Sequence, residues 1–217
     1  MLPILPNVGS ARYQNVFAEL HRFRTTPAVR NLLTRPDLPR QFQNCKSDIM
    51  DHSSTTSPTV TLRAESYQSR GATEMIQAAT RANEALYGHP DQSPLDPEEF
   101  SPLNRGQFLV AYLDDTPVGC GGYRRHHDDD AGTTAEIKRM YVEPGARRLG
   151  IARTILAQLE NEALNNGYNT VILDTGSKQH AAHTLYESCG YQRTTGFGIY
   201  RDKPGNRAYR KSLKTLV

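Results

Sequence analysis

AEIKRMYVEPGARRLGIARTILAQLE, residues 135–160, is the stretch on which the reading of this chain turns. Its first part reads as a strand ending at Val142. Arg147, Arg148, Leu149, Gly150, Ile151 and Ala152 then lead into a helix whose apolar face begins at once, with Ile151, Ile155, Leu156, Leu159, Ala163 and Leu164 at helical spacing. In such a strand–turn–helix unit the first helical amides have no carbonyl partner inside the helix, so they point outward as donors and the helix dipole adds positive potential. An anion site is the consequence. Gly150 lets the backbone curl and approach a phosphate without a Cβ in the way, Ala152 keeps the approach open, and Arg147, Arg148 and Arg153 add charge. Arg-rich helix starts are also often merely solvated, and the local sequence alone leaves both readings open. No Gly-Lys-Ser/Thr follows, as a Walker loop requires, and the three-glycine spacing of a dinucleotide fold is absent. A different phosphate-bearing ligand is implied.

Upstream, TVTLRAE (59–65) alternates like a half-buried strand, and 73–87 carries Met75, Ile76, Ala79, Ala82, Leu86 and Tyr87 at helical spacing before Gly88 and Pro90 stop it. A proline-broken loop follows, then strands over 107–113 and 117–125 joined by a tight turn at Asp114, Asp115 and Thr116, and a third strand over 134–142. Downstream, 170–174 reads as a buried strand, 180–189 as a helix, and 191–194 and 208–213 as final strands. The order is β, α, three β, then α, β, α and two β, which predicts a mixed α/β sheet covered by helices. Residues 58–217 form this domain. Residues 1–57 show recurrent prolines and no sustained period, and read as a largely mobile extension with room for a short helix around 13–24. An organelle-targeting peptide, a partner-binding arm, and sequence upstream of a true start at Met50 are all open accounts of it.

Composition bounds the rest. The 217 residues suit one good-sized domain, and no apolar run approaches the roughly 20 residues of a membrane-spanning helix. Cys45, Cys120 and Cys189 are too few and scattered for a disulfide framework or zinc cluster, so no metal is expected and a reducing, cytoplasmic location fits, with organelle targeting by the extension left open. The net charge of +3 divides into +5 over residues 1–47 and −2 over the remainder, so the domain is no polyanion binder. The extension lacks the interleaved aromatics that nucleic-acid binding uses.

The motif Arg147-x-x-Gly150-x-Ala152 resembles the signature of the GNAT family of acyl-CoA-dependent N-acyltransferases, Gln/Arg-x-x-Gly-x-Gly/Ala, at the same strand-to-helix junction. CGG (120–122), EIKRMYV (136–142) and HTLYESCGY (183–191) extend the resemblance across 59–213 in the right order. It implies a mostly antiparallel sheet of six to seven strands flanked by helices, with a V-shaped splay between the fourth and fifth strands. Acetyl-CoA is the implied co-substrate. Its pantetheine arm would lie in the splay against backbone groups of Met140 and Val142, its diphosphate on the amides of residues 148–153, Leu149, Ile151 and Arg153 included. An amide near Met140 or Tyr141 would polarise the acyl carbonyl. The family often has Asn where this chain has Gln179, whose longer amide is expected to reach the same ligand.

The implied reaction is attack of a neutral amine on a thioester. An alkylamine of pKa about 10.4 is unprotonated in only about one molecule in 10³ to 10⁴ at neutral pH, a handicap of roughly 4 to 5 kcal/mol. By resemblance, Tyr186 donates a proton to the departing sulfur and Glu136 is the candidate base, directly or through water, its pKa expected to be raised by desolvation. A core tyrosine and a solvated strand residue are the alternatives. Cys120 and Cys189 read as core thiols, and HHDDD (126–130) as a solvated hairpin tip that could attract a cationic substrate. The acceptor is expected to be a small amine, with protein Lys or N-terminal acetylation and non-catalytic acyl-CoA binding as rivals. The first helix, residues 88–106 and GFGIYRDKPG (196–205), with Tyr200 as a wall, would shape its site. Oligomeric state stays open, a homodimer included.

Overall fold

A computed structural model of the protein describes residues 59–213 apart from Pro90, Gln92 and Pro94. The extension and helix expected within residues 1–57 lie outside the described residues. Strand β1 (Val60–Ala64) leads to helix α1 (Arg70–Tyr87), which begins three residues before the expected 73 because Ser69 Oγ accepts from the Ala72 amide at 3.1 Å. Gly88, at φ 82°, closes it in the left-handed conformation. Two short 3₁₀ turns, Pro97–Phe100 and Pro102–Asn104, cross the proline-rich loop. Strands β2 (Gln107–Leu113), β3 (Thr116–Arg125) and β4 (Thr134–Val142) form the expected meander. Helix α2 (Ile151–Asn165), strand β5 (Thr170–Gly176), helix α3 (His180–Ser188) and strands β6 (Gln192–Arg193) and β7 (Asn206–Ser212) complete the domain.

The strands form one sheet in the order β1-β2-β3-β4-β5-β7-β6, antiparallel everywhere except between β4 and β5. Alternation sorts their side chains onto two faces. On one, Leu109, Tyr123, Ile137, Val171 and Leu173 join Ile155, Leu156 and Leu159 of α2 in the main core. On the other, Phe108, Val110 and Cys120 pack with Ala72 and Met75 of α1 and with Phe100. The CGG motif works by close approach: a Cβ on Gly122 would meet the Phe108 ring at 2.5 Å and the Gln107 carbonyl oxygen at 2.8 Å.

Two irregularities shape β4. Its pairing with β3 shifts register between Cys120 and Gly122, and Arg139 sits there at φ 58°, the mark of a bulge. Its parallel ladder with β5 runs only from Thr134↔Thr170 to Ile137↔Leu173, although β4 continues to Val142 and β5 to Gly176. The two strands therefore part beyond Ile137, in the V expected of the fourth and fifth strands.

Candidate active site

Beyond the bulge, the Glu143 amide donates to Val118 O at 2.9 Å, on the β3 side. By alternation, the backbone groups of Met140 and Val142 turn toward the open side of the V. Val142 O there accepts from Arg147 Nε at 3.0 Å, and Tyr141 Oη donates to Glu143 Oε2 at 3.2 Å. After the turn Pro144–Ala146, Arg148 and Gly150 take φ of 67° and 80°, and Gly150 caps α2 without any side-chain hydrogen bond. The first amide accepted within the helix is that of Thr154, by Gly150 O at 3.0 Å. Those of Ile151, Ala152 and Arg153 are left as donors among the described residues. A Cβ on Gly150 would meet nothing within 4 Å, so the space beside this residue is open. Leu149 is exposed, whereas the Ile151 side chain is buried and contributes only its backbone. The Arg153 guanidinium turns away to Ser188 Oγ (2.8 Å) and Cys189 Sγ (3.1 Å) at the end of α3.

Gln179 has both ends of its amide engaged within the fold. Its Oε1 accepts from Thr175 Oγ1 at 2.6 Å and its Nε2 donates to Asn83 Oδ1 at 2.9 Å, so the amide braces β5 to α1. Tyr186 is buried between Tyr191 and Tyr209, each ring centroid 5.8 Å away. Its hydroxyl has no hydrogen-bond partner among the described residues, and burial raises its pKa, keeping the proton on oxygen at any physiological pH.

Glu136 requires a correction. It is buried as expected, but not alone: Oε1 lies 2.7 Å from Lys138 Nζ, and Oε2 lies 3.2 Å from Arg124 Nη2 and 3.6 Å from His126 Nδ1. Burial raises the carboxyl pKa, yet the contact with His126 and the charges of Lys138 and Arg124 outweigh it and hold the group down at about 2. The expected upward shift is overturned, because the cations come from β3 and from the same face of β4. The pair belongs to a chain of alternating charges running Asp174, Lys138, Glu136, Arg124, Glu99 and His127, with contacts of 3.1, 2.7, 3.2, 2.5 and 2.5 Å.

The HHDDD segment is also more than a solvated tip. Asp129 staples the hairpin by accepting from the amides of Thr133 (2.8 Å) and Thr134 (2.6 Å), while His126 folds inward, its side chain 12% exposed, against the Phe197 ring. His126, Glu136, Lys138, Asp174, Phe197 and Tyr200 line a cleft of about 130 Å³ on the α1 face of the sheet. No signal in the local sequence marks His126, since its cover comes from Phe197, far along the chain. Cys120 is fully buried, its thiol pushed up to about 12 by desolvation, as a core thiol should be. No group of three metal-ligating side chains occurs among the described residues.

Comparison with known proteins agrees with this geometry. IAA acetyltransferase of Azospirillum brasilense is 33% identical over 147 residues, 68% of this chain and 94% of that protein. N-acetylaspartate synthetase of Danio rerio is 33% identical over 48% of this chain and 36% of its own length. A Salmonella typhimurium protein solved with its cofactor acetyl-CoA superposes with a TM-score of 0.54 at 18% identity, over 73% of this chain and 96% of its own, which is a likeness of fold. The profile of the Acetyltransferase (GNAT) family matches residues 72–191, spanning α1 to the end of HTLYESCGY. With the splayed β4 and β5, the uncapped start of α2 and more than half the sequence in that match, the chain belongs to the GNAT family of acetyltransferases.

Proposed function

We propose that the chain transfers the acetyl group of acetyl-CoA to the primary amine of a small acceptor, with both bound at once. The observation that carries this reading is the meeting, at one corner, of an open β4 edge and a helix start whose amides are unclaimed. The residues fit the co-substrate. Backbone groups of Met140 and Val142 can pair with an extended amide-bearing arm as a neighbouring strand does, and the unclaimed amides of Ile151, Ala152 and Arg153, next to the open Gly150, can hold a diphosphate. When bound, acetyl-CoA supplies an activated acyl group and a thiol leaving group.

This chain supplies the rest. The Tyr186 phenol, protonated and without a partner of its own, gives its proton to the departing sulfur. The Met140 amide, on the open side of the V, polarises the acyl carbonyl. Glu136, ionised and held by cations, orders the acceptor side rather than accepting a proton itself. The 130 Å³ cleft beside it is of a size to take a small amine. The Danio rerio relative is named for an N-acetylated amino acid, which favours amino acids and comparable small amines. The test is calorimetric titration of the purified chain with CoA and acetyl-CoA, followed by thiol release across a panel of amines. Absence of heat with either nucleotide removes the proposal, and binding without thiol release for any amine reduces it to an acyl-CoA-binding module.

A further inference from the structure

Glu136 leaves the amine without a proton acceptor, and the nearest group able to serve is one that its position in a polar hairpin conceals. His126 follows the last residue of β3, and its amide donates to Thr134 O at 2.9 Å, which fixes the ring's origin on the sheet. The imidazole packs edge-on against Phe197, centroids 5.3 Å apart. Its Nδ1 is buried, makes no hydrogen bond, and looks at Glu136 Oε2 from 3.6 Å, just beyond hydrogen-bond reach. The residue lines both the 130 Å³ cleft and the wider one of about 900 Å³ next to it. With Nδ1 turned to a carboxylate, the opposite ring edge, Nε2, is the one presented to those clefts.

From this geometry we infer that His126 Nε2 is the proton acceptor for the incoming amine, with Glu136 as its positioning residue. The inference rests on the proposed function. A carboxylate facing Nδ1 fixes the neutral ring in the Nδ1–H form, which leaves the Nε2 lone pair free, and it stabilises the imidazolium once formed. Other charges facing the ring bear on that balance. Lys138 of β4 and Arg124 of β3 oppose a positive ring but are themselves held by Glu136, with Asp174 and Glu99 on their far sides. Asp128, on the ring's own loop, is paired with Arg201, and His127 points away to Glu99. An ammonium must lose two protons as its nitrogen bonds to the acyl carbon and the C–S bond breaks. One passes to His126 Nε2 and on to solvent, and the other ends on the CoA sulfur by way of Tyr186. No oxidant or metal is needed.

The experiment compares wild type and His126→Gln at saturating acetyl-CoA, recording kcat/KM for the best amine from pH 5 to 9. Wild type shows a limb of falling activity on the acid side. His126→Gln lowers kcat/KM about 100-fold and abolishes that acid limb, with acetyl-CoA binding heat unchanged. An acid limb that survives in His126→Gln overturns the assignment. A second readout needs no acceptor: ¹⁵N-histidine NMR of the full chain shows His126 in the Nδ1–H form when neutral, and the Nε2–H form overturns the assignment by itself. Failure of the wild type to bind acetyl-CoA counts instead against the proposed function, and the NMR result stands apart from it.

Discussion

Tyr186 and Gly150 are single residues on which measurable consequences hang. Tyr186→Phe removes one oxygen that nothing else in the fold holds, so stability and acetyl-CoA affinity should stay close to wild type while kcat falls about 100-fold, read by thiol release. An unchanged kcat takes the proton-donor role from it. Gly150→Ala adds a Cβ that touches nothing but must sit at φ 80°, a conformation costing an L-residue roughly 1–2 kcal/mol. The expected result is a weaker acetyl-CoA titration together with a small loss of thermal stability. At this scale the sequence was a partial guide. Gly150 and Tyr186 were legible because motif and spacing mark them, and a strand carboxylate at Glu136 was legible too. The sign of its pKa shift was not, because the leading contact that lowers it comes from His126, ten positions away, brought there only by the β3–β4 hairpin, with Lys138 and Arg124 adding to it. His126 was hidden for the same reason, its polar neighbours suggesting solvent where the fold supplies Phe197.

Elements were easier to foresee than their junctions. Helical and alternating periods marked α1, α2, α3 and the β2–β4 meander because each buries one face, and burial leaves a repeating pattern. The bulge at Arg139 and the early end of the β4–β5 ladder leave none, since both concern register between strands. Packing within the meander yields its own test. Gly122→Ala should cost about 2 kcal/mol and lower the melting temperature by roughly 4 to 8 °C, because backbone at Gln107 and the rings of Phe108 and Phe100 stand where the methyl must go. Gly145→Ala, with nothing within 4 Å of the new atom, should melt as wild type does.

Across the molecule, the alternating charges from Asp174 to His127 tie β5, β4, β3 and the loop before β2 together on the α1 face of the sheet, beside that helix. Glu136 at their centre has a folded pKa depressed from 4.5 to about 2, so its contribution to stability is full above 4.5 and disappears as pH falls toward 2. Urea unfolding at pH 6 and pH 3 should show a loss for wild type that is clearly smaller in Glu136→Gln, whose amide does not titrate. Equal losses in the two proteins would mean that the depressed pKa is not felt by the fold. The contact of Arg147 with Val142 O has a different outcome, kinetic in kind. A guanidinium already seated on the β4 rim competes with any arriving chain for the same oxygen, so docking becomes an exchange of partners. Arg147→Ala should therefore quicken association in stopped-flow mixing even where it loosens the final complex.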